Sequence, residues 1–300
     1  MALTWQRLRL EARDLVELVL VPGLAAVLPW PLCFRLFRFL SRRSFLYRQA
    51  CLHALAQARE RGWVSDEKEW LCTRRLITLI DHADYYLAIT RSDRWMARHL
   101  DITGQWPQAG RAALLCTFHW GAGMWGLRHA HASGMLAHAL VAPLQGDHFA
   151  GRTVLLHYAR ARTACVSQAL GSPTLDVSAS LRPALRALRN HEPILAAIDV
   201  PSDQVTTSER IDLAGMRARV PRALLRLAVD HGIPVVVYIT GIDLCSGRRF
   251  LRIMPLGVYT EPEKLVRDVF HKLDTLLLEN PAAWHFWGEA SRFFEAKTVS

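Results

Sequence analysis

Residues 114–125 read LLCTFHWGAGMW. The apolar run from Ala112 to Phe118 has the length and composition of a strand that is buried on both faces. His119 follows it directly, and Gly121 and Gly123 permit a tight turn into a following helix. The carboxyl ends of strands are where α/β sheets place their ligand sites. This stretch therefore predicts a strand, a turn and a helix, with His119 at a functional edge of a sheet.

Short apolar runs of the same kind recur after Gly104, separated by glycines, prolines and polar residues. They are residues 138–143, 194–198, 234–240 and 250–254. Helical patterns lie between several of them, at 178–190 and 220–230, and residues 44–100 have helical character throughout. Strands that alternate with helices pair in parallel and need helices on both faces. The chain is therefore predicted to be an α/β protein whose mainly parallel sheet is sandwiched by helices.

The amino-terminal segment carries an uncharged run, Leu18 to Phe34, with arginines on both sides. Its 17 residues fall short of the roughly 20 that a straight membrane span requires, and its three prolines would kink or break a helix. Acidic residues stand where a signal peptide carries basic ones, which argues against cleavage. We expect residues 1–43 to form an apolar anchor helix, monotopic or short and kinked, ahead of a domain of residues 44–300. A core helix of a soluble domain is the alternative.

The composition narrows the class of protein. With 300 residues, 51% of them hydrophobic and 21% charged, the chain is too apolar to be disordered and too polar for a polytopic transporter. The net charge of +10, to which 33 arginines and only four lysines contribute, favours anionic partners. Nucleic acid is not expected, because the sequence has no basic helix with interleaved aromatics and no zinc or RNA-recognition signature. No metal is expected either, since the histidine spacings form no ligand set.

Several further segments accompany residues 114–125 in a recognisable order. They are Leu100–Gly104, Ala159–Arg162, Ile198–Gln204, Leu213–Val236 and Asn280–Trp287. The first precedes the His119 strand, the second carries two arginines, the third ends a strand in Asp199, and the last has the sequence NPAAWHFW. Together they resemble the motifs of the lysophospholipid acyltransferase superfamily and, within it, of the bacterial lipid A lauroyl/myristoyl acyltransferase family.

That resemblance implies an acyltransferase at the cytoplasmic face of the inner membrane. Its donor would be an acyl thioester on an acyl carrier protein, its acceptor a hydroxyl or amine of a membrane lipid or lipid-like molecule, and it would need no cofactor. Lipid A precursor is the acceptor that the family suggests, and a polyene pigment, an amino-lipid or another lysolipid is nearly as well supported. The acyl length and the oligomeric state stay open.

The same resemblance implies the residues of the site. His119 would act as the general base that takes a proton from the acceptor. Asp199 is the second catalytic candidate, because it ends an apolar strand and could orient the acceptor or an arginine. The residues implied in substrate binding are Arg160, Arg162, Gly121 and Met124.

One departure from the family pattern bears directly on catalysis. Family members carry His-x4-Asp/Glu, whereas here the position of the carboxylate is Met124. A thioether is only a weak acceptor, and loss of the carboxylate costs about 10⁴ in rate in hydrolase triads. A carboxylate from elsewhere could replace it, with Asp147, Asp199 and Asp203 as candidates. Alternatively His119 works unassisted, or the protein is a catalytically silent member that binds lipid or an acyl carrier protein.

Overall fold

The computed structural model describes residues 5–142, 144, 149–201, 203 and 207–295. Residues 5–97 are mainly helical. A continuous helical segment opens it, as α1 (Trp5–Asp14), a π-helical stretch (Leu15–Leu20) and α2 (Val21–Val27). The helices that follow are α3 (Trp30–Ser41), α4 (Arg48–Glu60), α5 (Glu67–Thr90) and α6 (Asp93–Ala97).

Strands and helices alternate through most of the rest of the described chain. The strands are β1 (Leu100–Thr103), β2 (Leu114–Thr117), β3 (His138–Val141), β4 (Leu175–Asp176), β5 (Ile194–Ala197), β6 (Ser208–Leu213), β7 (Met216–Pro221), β8 (Val235–Ile242) and β9 (Arg249–Gly257). The helices between and after them are α7 (Met124–Ala132), α8 (Thr153–Leu170), α9 (Arg182–Arg189), α10 (Ala223–Asp230) and α11 (Pro262–Glu279). Two 3₁₀ helices, Pro281–Ala283 and His285–Arg292, form the carboxyl-terminal segment.

In the described part of the chain, seven strands form one sheet in the order β1-β9-β8-β2-β5-β3-β4. Every neighbouring pair is parallel except β8 and β9, which are antiparallel. Strands β6 and β7 form a separate antiparallel hairpin. The predicted mainly parallel α/β sheet is therefore confirmed.

The central strands are buried on both faces because their side chains alternate between two hydrophobic clusters. Leu114 and Cys116 of β2 belong to the cluster that α9, α10 and α11 cover, and Leu115 belongs to the cluster that α3, α7 and α8 cover. All eight residues of β8 are buried. Continuous apolar strands of this kind need helices on both sides of the sheet. This is the reason why unbroken apolar runs, rather than alternating ones, mark these strands in the sequence.

The amino-terminal segment packs on the rest of the protein through specific polar contacts as well as apolar ones. The Glu11 carboxylate accepts hydrogen bonds from the backbone N–H groups of Thr153 and Val154, at 2.6 and 2.9 Å, and so caps the start of α8. Asp14 binds Arg152 through both carboxylate oxygens, at 2.6 and 2.9 Å. Among the described residues, none of the helices is both long and apolar enough to cross a bilayer. The expected anchor helix is accordingly not seen as such, and the boundary after residue 43 stays a prediction.

Most strand predictions agree with the structure, and the differences have local causes. The hairpin of β6 and β7 lies where residues 213–221 suggested only a glycine turn and the start of a helix. The predicted helix 220–230 begins at Ala223, because Val220 and Pro221 pair with β6 instead. The lead-in Leu100–Gly104 forms the edge strand β1, whose partner is β9. Strand pairing across the fold, which a local pattern does not report, decides these cases.

Candidate active site

The pairing of two parallel strands brings the two principal candidates together. In the register of β2 and β5, Thr117 is the partner of Ala197, and the backbone N–H of Ile198 donates to the carbonyl oxygen of Thr117 at 3.0 Å. His119 and Asp199 each lie two residues beyond this last pair. They therefore emerge side by side at the carboxyl edge of the sheet, where α/β proteins place their sites.

His119 and Asp199 form a hydrogen-bonded pair. The Nδ1 atom of His119 lies 2.9 Å from Oδ1 of Asp199, and the backbone N–H of His119 lies 2.9 Å from each carboxylate oxygen. The Asp199 side chain is fully buried, whereas the His119 side chain is 41% exposed. An ionised carboxylate can only accept, so the proton of a neutral imidazole lies on Nδ1. The lone pair of Nε2 is then available to a molecule at the surface.

The carboxyl-terminal segment closes over this pair. The indole N–H of Trp284 donates to Oδ2 of Asp199 at 2.9 Å, and Trp284 is fully buried. The ring of Phe286 packs edge-on against the His119 imidazole, with 4.4 Å between the ring centroids. Across the described residues, no hydrogen bond reaches Nε2 of His119. The pair is thus held from below and from one side, and its imidazole is open on the other.

The turn after His119 needs a glycine at position 121. Gly121 has φ +71°, and a Cβ there would lie 2.5 Å from the carbonyl oxygen of Thr240. Its carbonyl oxygen lies 2.7 Å from Nε2 of His285. Burial, together with the nearby charge of Arg74, lowers the pKa of His285 to about 4, so this imidazole is neutral and donates from Nε2. Gly121 therefore shapes the site through its backbone, and its expected contact with substrate stays a prediction.

The two candidate arginines of α8 differ in their surroundings. Arg162 forms an ion pair with Asp81 of α5, in which its Nη2 donates to both carboxylate oxygens, at 2.7 and 2.8 Å. Burial opposes ionisation of Asp81, but the Arg162 guanidinium holds the pKa of this carboxyl well below its usual range. Arg160 is exposed on the same helix. The charge of Arg162 is therefore already matched by Asp81, and Arg160 is the more accessible guanidinium for an anionic substrate group.

A cavity of about 380 Å³ adjoins the Arg162 ion pair. Its walls are largely apolar and come from the π-helical stretch, α5 and α8. They include Val19, Tyr85, Tyr86, Val154, Tyr158 and Ala161. The Tyr158 hydroxyl lies 2.8 Å from Nδ1 of His82 and 3.4 Å from Nη1 of Arg162, so the cavity and the ion pair share a wall.

Met124 is the first residue of α7 and is only 3% exposed. It belongs to the hydrophobic cluster that also contains Trp125 and Ala122. A carboxylate at this position would have to be buried among these apolar groups, and Asp199 supplies the contact to His119 from a different strand. Met124 is thus part of the hydrophobic core, and its expected role in substrate binding stays a prediction.

The other carboxylates considered for His119 are placed elsewhere or are not described. Asp203 makes a bidentate pair with Arg292, at 2.8 and 2.9 Å. Asp147 lies outside the described residues. Over the described ranges, no group of three or more His, Cys, Asp or Glu side chains is arranged to hold a metal ion.

Comparison with known proteins assigns no family to this chain. The sequence matches no protein-family model and no curated protein. The site is therefore interpreted from its own geometry.

Two groups of site residues were missed from sequence. Trp284 and His285 lie in the quoted segment Asn280–Trp287, but neither was assigned a role in the site. Arg74 and Asp81 lie in a helix that showed no chemical motif. The sequence did contain an indication of their importance, because both are charged residues among the apolar positions of a helix. In the structure Arg74 is only 8% exposed.

Proposed function

We propose that this protein is an acyltransferase that moves an acyl chain from a thioester of an acyl carrier protein to a hydroxyl or amine acceptor. The observation that carries the proposal is the contact of 2.9 Å between Nδ1 of a half-exposed His119 and the buried carboxylate of Asp199. This is the arrangement that turns an imidazole into a general base. It supports the first of the three explanations for the methionine at position 124, in which a carboxylate from another part of the chain binds His119.

The chemical step follows from the orientation of the imidazole. Nε2 of His119 takes the proton of the acceptor as the acceptor oxygen or nitrogen bonds to the thioester carbonyl carbon. Asp199 stabilises the imidazolium that results and keeps its proton on Nδ1. The carbon–sulfur bond then breaks, and Nε2 returns the proton to the departing thiolate. The products are the acylated acceptor and the free thiol of the carrier.

The cavity beside α8 is suited to the acyl chain. Its volume of about 380 Å³ is within the range of small-ligand pockets, and its walls are mostly apolar. Arg160, exposed on the same helix, is the group proposed to bind an anionic part of the donor or acceptor. The resemblance to lipid A lauroyl/myristoyl acyltransferases points in the same direction, with a lipid A precursor or another lipid amine or alcohol as acceptor.

An association with the membrane is proposed for helix α3. One side of α3 packs into the core through Trp30, Phe34 and Phe37, whereas Leu32 and Phe39 on the other side are 55% and 53% exposed. Exposed arginines flank these apolar groups, and the Arg43 guanidinium lies 4.9 Å from the centroid of the Phe39 ring. A helix with apolar groups and arginines on one exposed face is suited to the interface of an anionic bilayer.

Flotation with vesicles that contain phosphatidylglycerol tests this proposal. The double variant Leu32→Ser/Phe39→Ser should float several-fold less than the wild type. Leu278→Ser, which changes a leucine that is 70% exposed on α11, is the matched control and should bind as the wild type does. Equal binding by all three proteins would contradict the role of α3.

The decisive experiment on function compares the wild type with His119→Ala. Both are assayed with acyl carrier protein thioesters of several chain lengths and with lipid hydroxyl and amine acceptors, and transfer is followed by mass spectrometry. Transfer by the wild type and loss of at least 10³-fold in kcat in His119→Ala is the expected result. Equal transfer by the two proteins would overturn the role of His119. Binding of acyl carrier protein without any turnover would favour the silent member of the family.

A further inference from the structure

We propose that Trp284 is a positioning residue of the site, which fixes the Asp199 carboxylate through its indole N–H so that His119 keeps one tautomer. The inference rests on the proposed function of the His119–Asp199 pair. The residue carries no titratable group and lies outside the motif around His119. Its role follows from one hydrogen bond and from the way in which its own segment is held.

Among the described residues, three N–H groups bond to the Asp199 carboxylate. The imidazole Nδ1–H of His119 reaches Oδ1, the indole N–H of Trp284 reaches Oδ2 at 2.9 Å, and the backbone N–H of His119 lies 2.9 Å from both oxygens. The two side-chain donors thus take different oxygens. A carboxylate held at both ends cannot rotate about its Cβ–Cγ bond, so Oδ1 stays aimed at the imidazole.

The segment that carries Trp284 is itself anchored to the turn after His119. The backbone N–H of His285 donates to the carbonyl oxygen of His119 at 2.7 Å, and the N–H of Gly121 donates to the carbonyl oxygen of Ala283 at 3.1 Å. Trp120 and Trp284 form an antiparallel bridge between the two segments. The donor to Asp199 and the base that Asp199 serves are therefore parts of one hydrogen-bonded unit.

Arg74 of α5 holds the unit from the core side. Its Nη1 donates to the carbonyl oxygens of Trp284 and Ala282, at 2.6 and 3.2 Å, and its Nη2 donates to that of His285 at 3.0 Å. Burial lowers the pKa of Arg74 to about 10, which leaves the guanidinium charged at neutral pH. Because this buried cation donates hydrogen bonds to three backbone carbonyls, it fixes the position of the indole.

The physical consequence concerns the proton of His119. Without the indole N–H, Oδ2 would keep only the bifurcated contact with the His119 backbone, and a buried oxygen with an unfilled acceptor site would turn toward the nearest donor. Oδ1 would then leave the imidazole for part of the time. The neutral imidazole could carry its proton on Nε2, where it could no longer accept a proton from the acceptor.

The test uses two tryptophans of the same segment. Trp284→Phe removes the indole N–H that reaches Asp199, and Trp287→Phe removes one that donates to the carbonyl oxygen of Pro281 at 2.6 Å. Both tryptophans are fully buried, and their rings contact each other at 5.1 Å between centroids, so the two variants lose comparable packing. Trp284→benzothienylalanine, which replaces only the N–H by sulfur, covers the case in which Trp284→Phe fails to fold.

Two measurements decide the question. In ¹⁵N spectra of histidine-labelled protein, with His119 assigned by comparison with His119→Ala, the neutral imidazole of His119 should be the Nδ1–H tautomer alone in the wild type and in Trp287→Phe. The variants at Trp284 should show a mixture of both tautomers. In steady-state assays, kcat should fall about 10- to 100-fold in the Trp284 variants, with KM within twofold of the wild type.

A single tautomer together with an unchanged kcat in the Trp284 variants would overturn the inference. An equal loss in Trp287→Phe would overturn it too, because it would reduce Trp284 to a packing residue. The spectra separate this proposal from the proposed function. If the Trp284 variants show a mixture of tautomers and the wild type transfers no acyl group, the positioning role of Trp284 is supported and acyl transfer is refuted.

Discussion

Asp84 and Asp199 are two buried carboxylates that bond to basic side chains; the first pair is sealed from the surface and the second is open to it. Asp84 of α5 binds Arg249 of β9, and both side chains are fully buried. The Cζ atom of Arg249 lies over two indole rings, 3.7 Å from the centroid of Trp30 and 4.3 Å from that of Trp125. Asp199 is buried to the same degree, but its partner His119 is 41% exposed.

The difference separates a structural pair from one that can do chemistry. Arginine does not lose its proton in proteins, and a sealed pair cannot reach a substrate. Burial raises the pKa of Asp84 to about 6 even beside Arg249, so this pair is kept at an electrostatic cost. Histidine gains and loses a proton near neutral pH, and the open face of His119 lets that proton pass to a bound molecule. Burial of the carboxylate is common to both pairs, and access to the base is what distinguishes the site.

The largest effect is expected at the open pair. Asp199→Asn keeps the size of the side chain but removes its charge, so the imidazolium is no longer stabilised and the tautomer is no longer selected. We expect kcat for acyl transfer to fall by about 10⁴. Asp203→Asn, which changes a surface carboxylate paired with Arg292, should leave kcat unchanged. A loss of less than tenfold in Asp199→Asn would remove Asp199 from the mechanism.

The sealed pair should respond in stability instead. Asp84→Asn leaves the Arg249 charge buried without its counterion, and we expect the free energy of unfolding to drop by about 3–5 kcal/mol. Urea unfolding measures this, with Asp101→Asn as a control, since Asp101 forms an exposed pair with Arg248 and should cause no measurable change. The kcat of the folded fraction of Asp84→Asn should equal that of the wild type. A selective loss of kcat would mean that the sealed pair also serves catalysis.

Acid should destabilise the segment that anchors the open pair, because this segment contains the buried His285. The pKa of His285 is lowered to about 4 by burial and by Arg74, below its unfolded value near 6.5, so the unfolded chain binds the extra proton between these limits. Stability that is present above pH 6.5 is therefore lost as the pH falls toward 4, by about 2 to 3 kcal/mol at pH 4.5.

His285→Gln should reduce this acid sensitivity, because glutamine can still donate to the carbonyl oxygen of Gly121 but does not titrate. The measurement is urea unfolding at pH 7.0 and 4.5. His231→Gln, at an exposed histidine, is the control and should keep the pH dependence of the wild type. A pH dependence that is the same in all three proteins would contradict the role assigned to His285.

The smallest effect concerns the cavity that adjoins the Arg162 ion pair. Ala161→Phe should fill part of this cavity and shorten the acyl chain that fits. Loss of room for two methylene groups corresponds to about 1.6 kcal/mol, so kcat/KM for the longest accepted chain should fall about tenfold while shorter chains are unaffected. Ala164→Phe, on an exposed position of α8, is the matched control. An equal effect on all chain lengths would place the acyl chain elsewhere.

The local sequence pattern was sufficient to predict much of the fold and half of the site. The apolar runs of β2, β5 and β8 are recognisable because strands that are buried on both faces consist mainly of apolar residues. His119 and Asp199 were each recognisable at a strand end. Pattern was insufficient at the amino terminus, where an uncharged run broken by prolines fits both an anchor and helices that pack on α5. Hydropathy reports how apolar a segment is, but not whether lipid or protein covers it.

What the sequence by itself determined is the set of elements and the two strand ends that carry polar residues. What only the tertiary structure decided is which of those residues meet. His119 and Asp199 are 80 residues apart in the chain, and they bond because β2 and β5 pair in one particular register. Arg162 is paired with Asp81, 81 residues away on α5, and its expected contact with substrate stays a prediction. Register and helix packing result from the whole core, so no local stretch of sequence contains them.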